Sequence, residues 1–318
     1  LARTAWETGG VIAARDAQAA ERLARPYRRA GVDVTAFGTG DAFDVEAFQR
    51  TIGLVAKALA ADGRACAIGL AGVGEWLVAQ GLDYASDAGR GAARELYLTV
   101  AHAIQMADVE LDGGLAVFED RDLALRLGGL RLSATPWRGP FTTAETADCE
   151  VFTVLSSAAE DGLAALGVDL TEAKRRLLGA RDLVEAPGID HRALQAKGFT
   201  DHEIAAVEAA LPLADSLAEA FRPGVVGEGF VRDVLGASPE DLADGTVDTL
   251  ALAGFTADEI AAAERHALGS LDGLTEISET AARVLRRGAD IGHAPILEML
   301  IALEPDLAWP TVAEVALP

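Results

Sequence analysis

The chain has 318 residues, half of them apolar and 5% aromatic, with a formal charge of −23 from 50 acidic and 27 basic residues. That length suffices for one large core or two ordinary ones. A negative field of this size repels phosphate backbones and anionic lipid, so nucleic-acid and membrane-surface partners are not expected.

Two cysteines, Cys66 and Cys149, stand far apart, with no CxxC pair, zinc pattern or disulfide framework. They read as reduced thiols of a cytoplasmic protein. No apolar run approaches the roughly 20 residues that span a bilayer, and no secretory leader is visible. The chain begins at Leu1 rather than Met, which leaves room for residues ahead of it.

In chain order, the first clear helix is predicted over 44–61. Val45, Phe48, Ile52, Val55 and Leu59 share one stripe there, and Asp44 is placed as a cap. An apolar run at 65–70 meets Gly69, Gly72 and Gly74 and leads into a helix at 75–80. The next helix is predicted from Ser86 to about Glu110, with Leu96, Val100 and Ile104 on one face. Residues 111–152 are the least regular stretch, broken by glycines and prolines, with a candidate strand at 130–135. Beyond Leu155 the pattern is one of short helices between caps and breakers.

Two of those helices open identically. Gly-Phe-Thr-x-x-Glu-Ile occurs at 198–204 and again at 254–260. Thr200 and Thr256 are N-caps, Glu203 and Glu259 reach back to the cap, and Phe199 and Phe255 staple onto Ile204 and Ile260. Ser238-Pro239-Glu240-Asp241 marks a further helix start. The terminal piece is a helix interrupted by Pro305 and Pro310. Without a low-complexity linker or charge block, residues 1–318 read as one domain.

Candidate chemistry is sparse. Gly69-Leu-Ala-Gly72-Val-Gly74 has the wrong order for a dinucleotide turn, which needs Gly-x-Gly-x-x-Gly, so close helix packing is the favoured reading. The five histidines form no i, i+4 pair, and no metal site is expected. His202 and His266 read as surface positions. Asp108, Glu110 and Asp112 read as a solvated helix end rather than an acid–base pair.

Residues 186–212, APGIDHRALQAKGFTDHEIAAVEAALP, resemble a segment of the long class II ribonucleotide reductases, which depend on adenosylcobalamin (vitamin B12). Further similar stretches follow the family's order: 43–48, 68–90, 231–235, 248–252, the second Gly-Phe-Thr unit and 291–299. Ala5-Trp6-Glu7-Thr8-Gly9 resembles the approach to that family's finger loop. The resemblance runs along nearly the whole chain and corresponds to the second half of the catalytic barrel. It implies an α/β fold tending to mainly α, a helix-dominated remnant of that barrel with a few short strands. Residues 1–152 would be barrel-derived, with 111–152 irregular, and 153–318 helical.

The departures fall where the family's chemistry runs. The finger-loop equivalent, 15–34, contains no cysteine to form a thiyl radical. The phosphate-cradling turn is represented by Thr135, Pro136, Arg138 and Gly139, with Trp137 adding bulk and Pro140 lacking a backbone donor. Glu150 is the candidate remnant of the substrate-site carboxylate. The loop following 291–299 lacks the family's lysine, and no counterpart of the first half-barrel or of the cysteine-rich tail is found.

The resemblance therefore implies a reductase-like protein whose catalysis is lost, kept as a nucleotide-binding, regulatory or assembly scaffold. No catalytic residue, metal ligand or cofactor is expected, and a nucleotide, a second copy or a partner chain is the expected company. Two alternatives stand beside it. One is half of an active reductase using adenosylcobalamin with a partner chain that carries the cysteines. The other is a helical interaction module docking through Phe199 and Phe255, against which both rings read equally as buried staples.

Overall fold

The computed structural model describes residues 27–145, 151–244 and 247–309, with the isolated positions Ala17 and Glu21. The fold is helix-dominated with a few short strands, an α/β arrangement tending to mainly α. Two compact units form, Leu1–Gly139 with Val284–Pro318, and Pro140–Arg283.

The first unit is built on a parallel sheet in the order β1 (Arg28–Asp33), β2 (Cys66–Ala71), β3 (Gly113–Leu115). Arg28 pairs with Cys66 and Asp33 with Ala71, while Cys66 also pairs with Gly113 and Ile68 with Leu115. Every residue of β2 is buried. A strand covered on both faces has no polar side to alternate with, which is why 65–70 reads as a continuous apolar run.

Helix α1 (Val45–Asp62) follows the first strand. Asp44 Oδ1 accepts the Ala47 N–H at 2.8 Å, and Gly63, at φ 67°, ends the helix in the left-handed conformation. Phe48, Ile52 and Ala56 are its buried face. After β2 come α2 (Val73–Ala79) and α3 (Asp87–Met106), the latter capped by Ser86. Helix α3 stops short of Glu110 because Asp108 takes a left-handed φ of 51°. A short helix, α4 (Arg121–Arg126), forms inside the stretch read as irregular.

The candidate strand at 130–135 does not form. Arg131 O accepts the Gly72 N–H at 3.1 Å and Ala134 O accepts the Tyr84 hydroxyl at 2.7 Å, so its carbonyls serve a turn and a tyrosine instead of a neighbouring strand. Ala134 also sits at φ 52°, outside strand geometry.

The second unit opens with an antiparallel pair, β4 (Phe141–Glu145) and β5 (Val151–Leu155), so the sequence-based division at 152/153 falls within β5. Helices α5 (Ser157–Ala165), α6 (Leu170–Leu178), α7 (His191–Ala196), α8 (Asp201–Ala210) and α9 (Ala257–Leu268) then pack through small side chains, with short helical turns between them. Phe199, Val207, Leu211, Leu217 and Phe221 anchor this core. The chain returns to the first unit with α10 (His293–Leu303), which buries Met299, Leu300 and Leu303 there. Among the described residues no helix is long and apolar enough to cross a membrane.

Candidate functional site

The carboxyl edge of the parallel sheet brings Asp33, Thr35 and Glu75 together with Arg131 and Arg138. In open α/β sheets, ligands lie outside this edge because successive strands deliver their following loops there. Strand β1 ends at Asp33, whose Oδ1 accepts the Thr35 N–H at 2.8 Å and the Thr35 hydroxyl at 2.7 Å. Strand β2 ends beside Gly72, which turns the chain into α2 at φ 76°. A Cβ on Gly74 would fall 2.4 Å from the Trp137 backbone nitrogen, and one on Gly69 2.8 Å from the Phe118 ring. The glycine run thus serves close packing, as its order suggested.

Glu75 lies in the first turn of α2 and is a half-buried acid of this edge. Burial pushes its carboxyl above the usual range and Asp33 adds to the push, while its own backbone N–H, Arg131 and Arg138 oppose it. Arg131 and Arg138, both exposed, are two guanidinium groups nearby that can meet an anion. Sequence reading missed Glu75, Asp33 and Arg131. The available signal was an acid directly after a glycine turn at the end of an apolar strand.

The candidate phosphate turn lies against the same edge. Thr135 is half-buried and its Oγ1 shares a hydrogen bond with Ser133 Oγ at 2.9 Å. Pro136 and Trp137 are buried, and the indole Nε1 donates to Arg286 O at 2.8 Å. Arg138 is exposed, while its carbonyl accepts the Gly288 N–H at 3.4 Å. A Cβ on Gly288 would sit 2.2 Å from Trp137 O, and one on Gly139 3.0 Å from the Arg287 side chain. Of the four candidates, Arg138 is the one most open to a ligand.

Other sequence candidates scatter. Glu150 and Cys149 lie outside the described residues, as do 15–16, 18–20 and 22–26 of the finger-loop equivalent and the proline at 310. Cys66 is fully buried in β2, and its carbonyl accepts the Trp309 indole N–H at 2.8 Å. Burial, with a smaller push from Asp112, raises its thiol, the opposite of an activated sulfur. Asp108, Glu110 and Asp112 are exposed, and no group of three metal-binding side chains forms among the described residues.

His202 is exposed as expected, but His266 is not a surface group: it is half-buried, and its Nε2 is buried with no hydrogen-bond partner among the described residues. Exposure on a helix depends on what packs beside it, which the sequence around His266 does not show. Phe199 and Phe255 are 2% and 8% exposed, so both are staples and neither presents a docking surface.

No family model matches the chain. Over 123 residues, 38% of this chain, it is 41% identical to the vitamin B12-dependent ribonucleotide reductase of Bradyrhizobium diazoefficiens. Over 123 residues it is 33% identical to the protein of the same name from Agrobacterium fabrum. The matched stretch covers 10% of each of those proteins, so the chain spans only about a tenth of the relatives it matches. Part of this chain is therefore reductase-like in sequence, on a helix-dominated fold.

Proposed function

We propose that the chain is a ribonucleotide-reductase-like scaffold that performs no radical chemistry of its own and is retained to bind a nucleotide or a partner chain. The observation that carries this reading is the packing of 135–139. Where a phosphate cradle would offer free backbone, Pro136 and Trp137 are buried and their backbone lies against Gly74 and Gly288. Two further points support it. The stretch 15–34 has no cysteine, and the Cys66 thiol is sealed inside the sheet. Loss of a radical-bearing sulfur removes the covalent route as a whole, because its groups act as a unit. Arg131 and Arg138 beside Glu75 remain as the anion-facing groups of the edge.

The test pairs turnover with binding. Incubation with ribonucleotides, adenosylcobalamin and a dithiol is expected to yield no deoxyribonucleotide, while a nucleotide raises the melting temperature as a native-state ligand must. Deoxyribonucleotide production by the isolated chain overturns the proposal. A second reading is favoured by the partial similarity itself: the chain supplies structure to an active reductase whose cysteines sit on another chain. Cobalamin binding, with turnover only when a cysteine-bearing partner is added, would establish that reading instead.

A further inference from the structure

The hairpin of the second unit carries an unguarded strand edge. Strand β5 packs against α6 and the turn at 211–213, whereas β4 pairs with β5 alone. The register shows which way the β4 backbone points. Pro140 O accepts the Ser156 N–H at 2.8 Å, and the ladder then runs unbroken from Phe141 opposite Leu155 to Glu145 opposite Val151. Hydrogen-bonded and open pairs alternate along an antiparallel ladder, so Thr142 and Ala144 turn their N–H and C=O toward β5. Phe141, Thr143 and Glu145 turn theirs outward, and no described residue bonds to them there.

Folded proteins guard such an edge with lysine, proline or a bulge. Here the register holds no bulge, Pro140 faces β5, and the one charge, Glu145, stands at the end of the strand. Phe141, Thr142, Thr143 and Glu145 are exposed. A two-stranded sheet is marginal in water, and further strands stabilise it.

The edge complements itself. When a second copy is laid antiparallel with Thr143 on the two-fold axis, Thr143 faces Thr143, and Phe141 faces Glu145 of the other copy. Each of these is a hydrogen-bonded pair that exchanges both bonds, so every outward N–H and C=O of β4 is satisfied. The two glutamates do not meet, which removes the local part of the repulsion between chains of charge −23. Thr153 lies opposite Thr143, so the joined sheet carries a row of Thr153, Thr143, Thr143 and Thr153. On the other face, Phe152 and Ala144 line up with Thr142 and Val154 of the second copy. Threonine pairs and aromatic contacts of this kind stabilise neighbouring strands. A two-fold contact closes on itself, giving a dimer rather than a fibre.

We infer that β4 is a dimer interface, joining two copies of this chain into a four-stranded antiparallel sheet, β5–β4–β4–β5, about an axis at Thr143. This goes beyond the scaffold reading and does not rest on it, because the edge lies wholly in the second unit.

Sedimentation equilibrium on the full chain is expected to report a dimer. Thr143→Pro removes an outward N–H and spares the β5 ladder, since an edge position with its N–H facing solvent accepts proline. It should weaken dimerisation roughly tenfold or more. Thr143→Lys and Thr143→Glu each set like charges on the axis, and each should be monomeric where the parent is a dimer. An equimolar mixture of those two should dimerise again, because opposite charges then face each other. That rescue would also exclude misfolding as the cause of either loss. A strictly monomeric parent, a dimer that all three substitutions leave intact, or Lys and Glu variants that stay monomeric when mixed would overturn the inference.

Discussion

Glu75 shows what burial does to a single charge. Its carboxyl is raised above the ordinary 4.5 because the folded state disfavours the ionised form. The folded chain therefore holds the proton more tightly than the unfolded chain. The stability this contributes is complete below the unfolded value and is lost as pH rises through the folded one. Glu75→Gln, neutral throughout, is expected to gain stability over the parent above that window and to remove the corresponding slope. Urea midpoints measured from about pH 4 to about pH 8 check this, and parallel curves for the two proteins would sink it. Glu172, pulled down to about 2 by Arg175 and Arg176, has the opposite sign: its contribution is present above its unfolded value and fades as pH falls.

Two glycines separate packing from propensity at the same scale. Gly74 has backbone against it, with the Trp137 nitrogen 2.4 Å from where a Cβ would sit, whereas Gly91 in α3 faces open space. Gly74→Ala should cost about 1–3 kcal/mol by overpacking. Gly91→Ala should gain about 0.5–1 kcal/mol through helix propensity. Thermal or denaturant melts of the two variants are expected to move in opposite directions.

At the scale of elements, the two Gly-Phe-Thr units are the most legible part of the chain. Thr200 N–H and Thr256 N–H each donate to the glutamate three residues on at 2.8 Å, and both capping boxes are complete. Such contacts lie within four residues, so sequence spacing alone specifies them. Thr200→Ala and Thr256→Ala should each cost about 1 kcal/mol, with Ser retaining most of it. Loss of helicity confined to one helix by hydrogen exchange would show that each cap acts locally. The helix at 45–62 was legible for the same reason, since Asp44 and a stripe at three- and four-residue spacing sit within a few turns, but of that stripe Phe48 and Ile52 are buried while Val45 is 45% exposed. The segment 130–135 was not, because its carbonyls are claimed by Gly72 and Tyr84, 59 and 50 residues away in sequence.

At the scale of the whole molecule, the charge of −23 and the small cores bear on association. Leu54 on α1, Met106 on α3 and Ile301 on α10 are 67%, 70% and 68% exposed. Such side chains become favourable contacts when a second surface covers them. We therefore expect self-association or capture of a partner chain. Sedimentation equilibrium is expected to report a dimer, and a strict monomer at high concentration removes the expectation of self-association. High salt should favour the dimer by screening like charge between copies.

Local order was written in the sequence: the caps, the apolar stripes, the breakers, the helix-rich composition and the reductase-like stretches, because each depends on residues a few positions apart. The site was not. Glu75 became a raised acid only when packing took its carboxyl out of water and brought Asp33 near, against the opposing pull of Arg131 and Arg138. His266 became half-buried, with its Nε2 out of solvent, only in the packed fold, where α6 and α9 meet across Gly179 and Gly269. Desolvation and charge proximity are properties of three-dimensional neighbours, and those neighbours are set by tertiary packing.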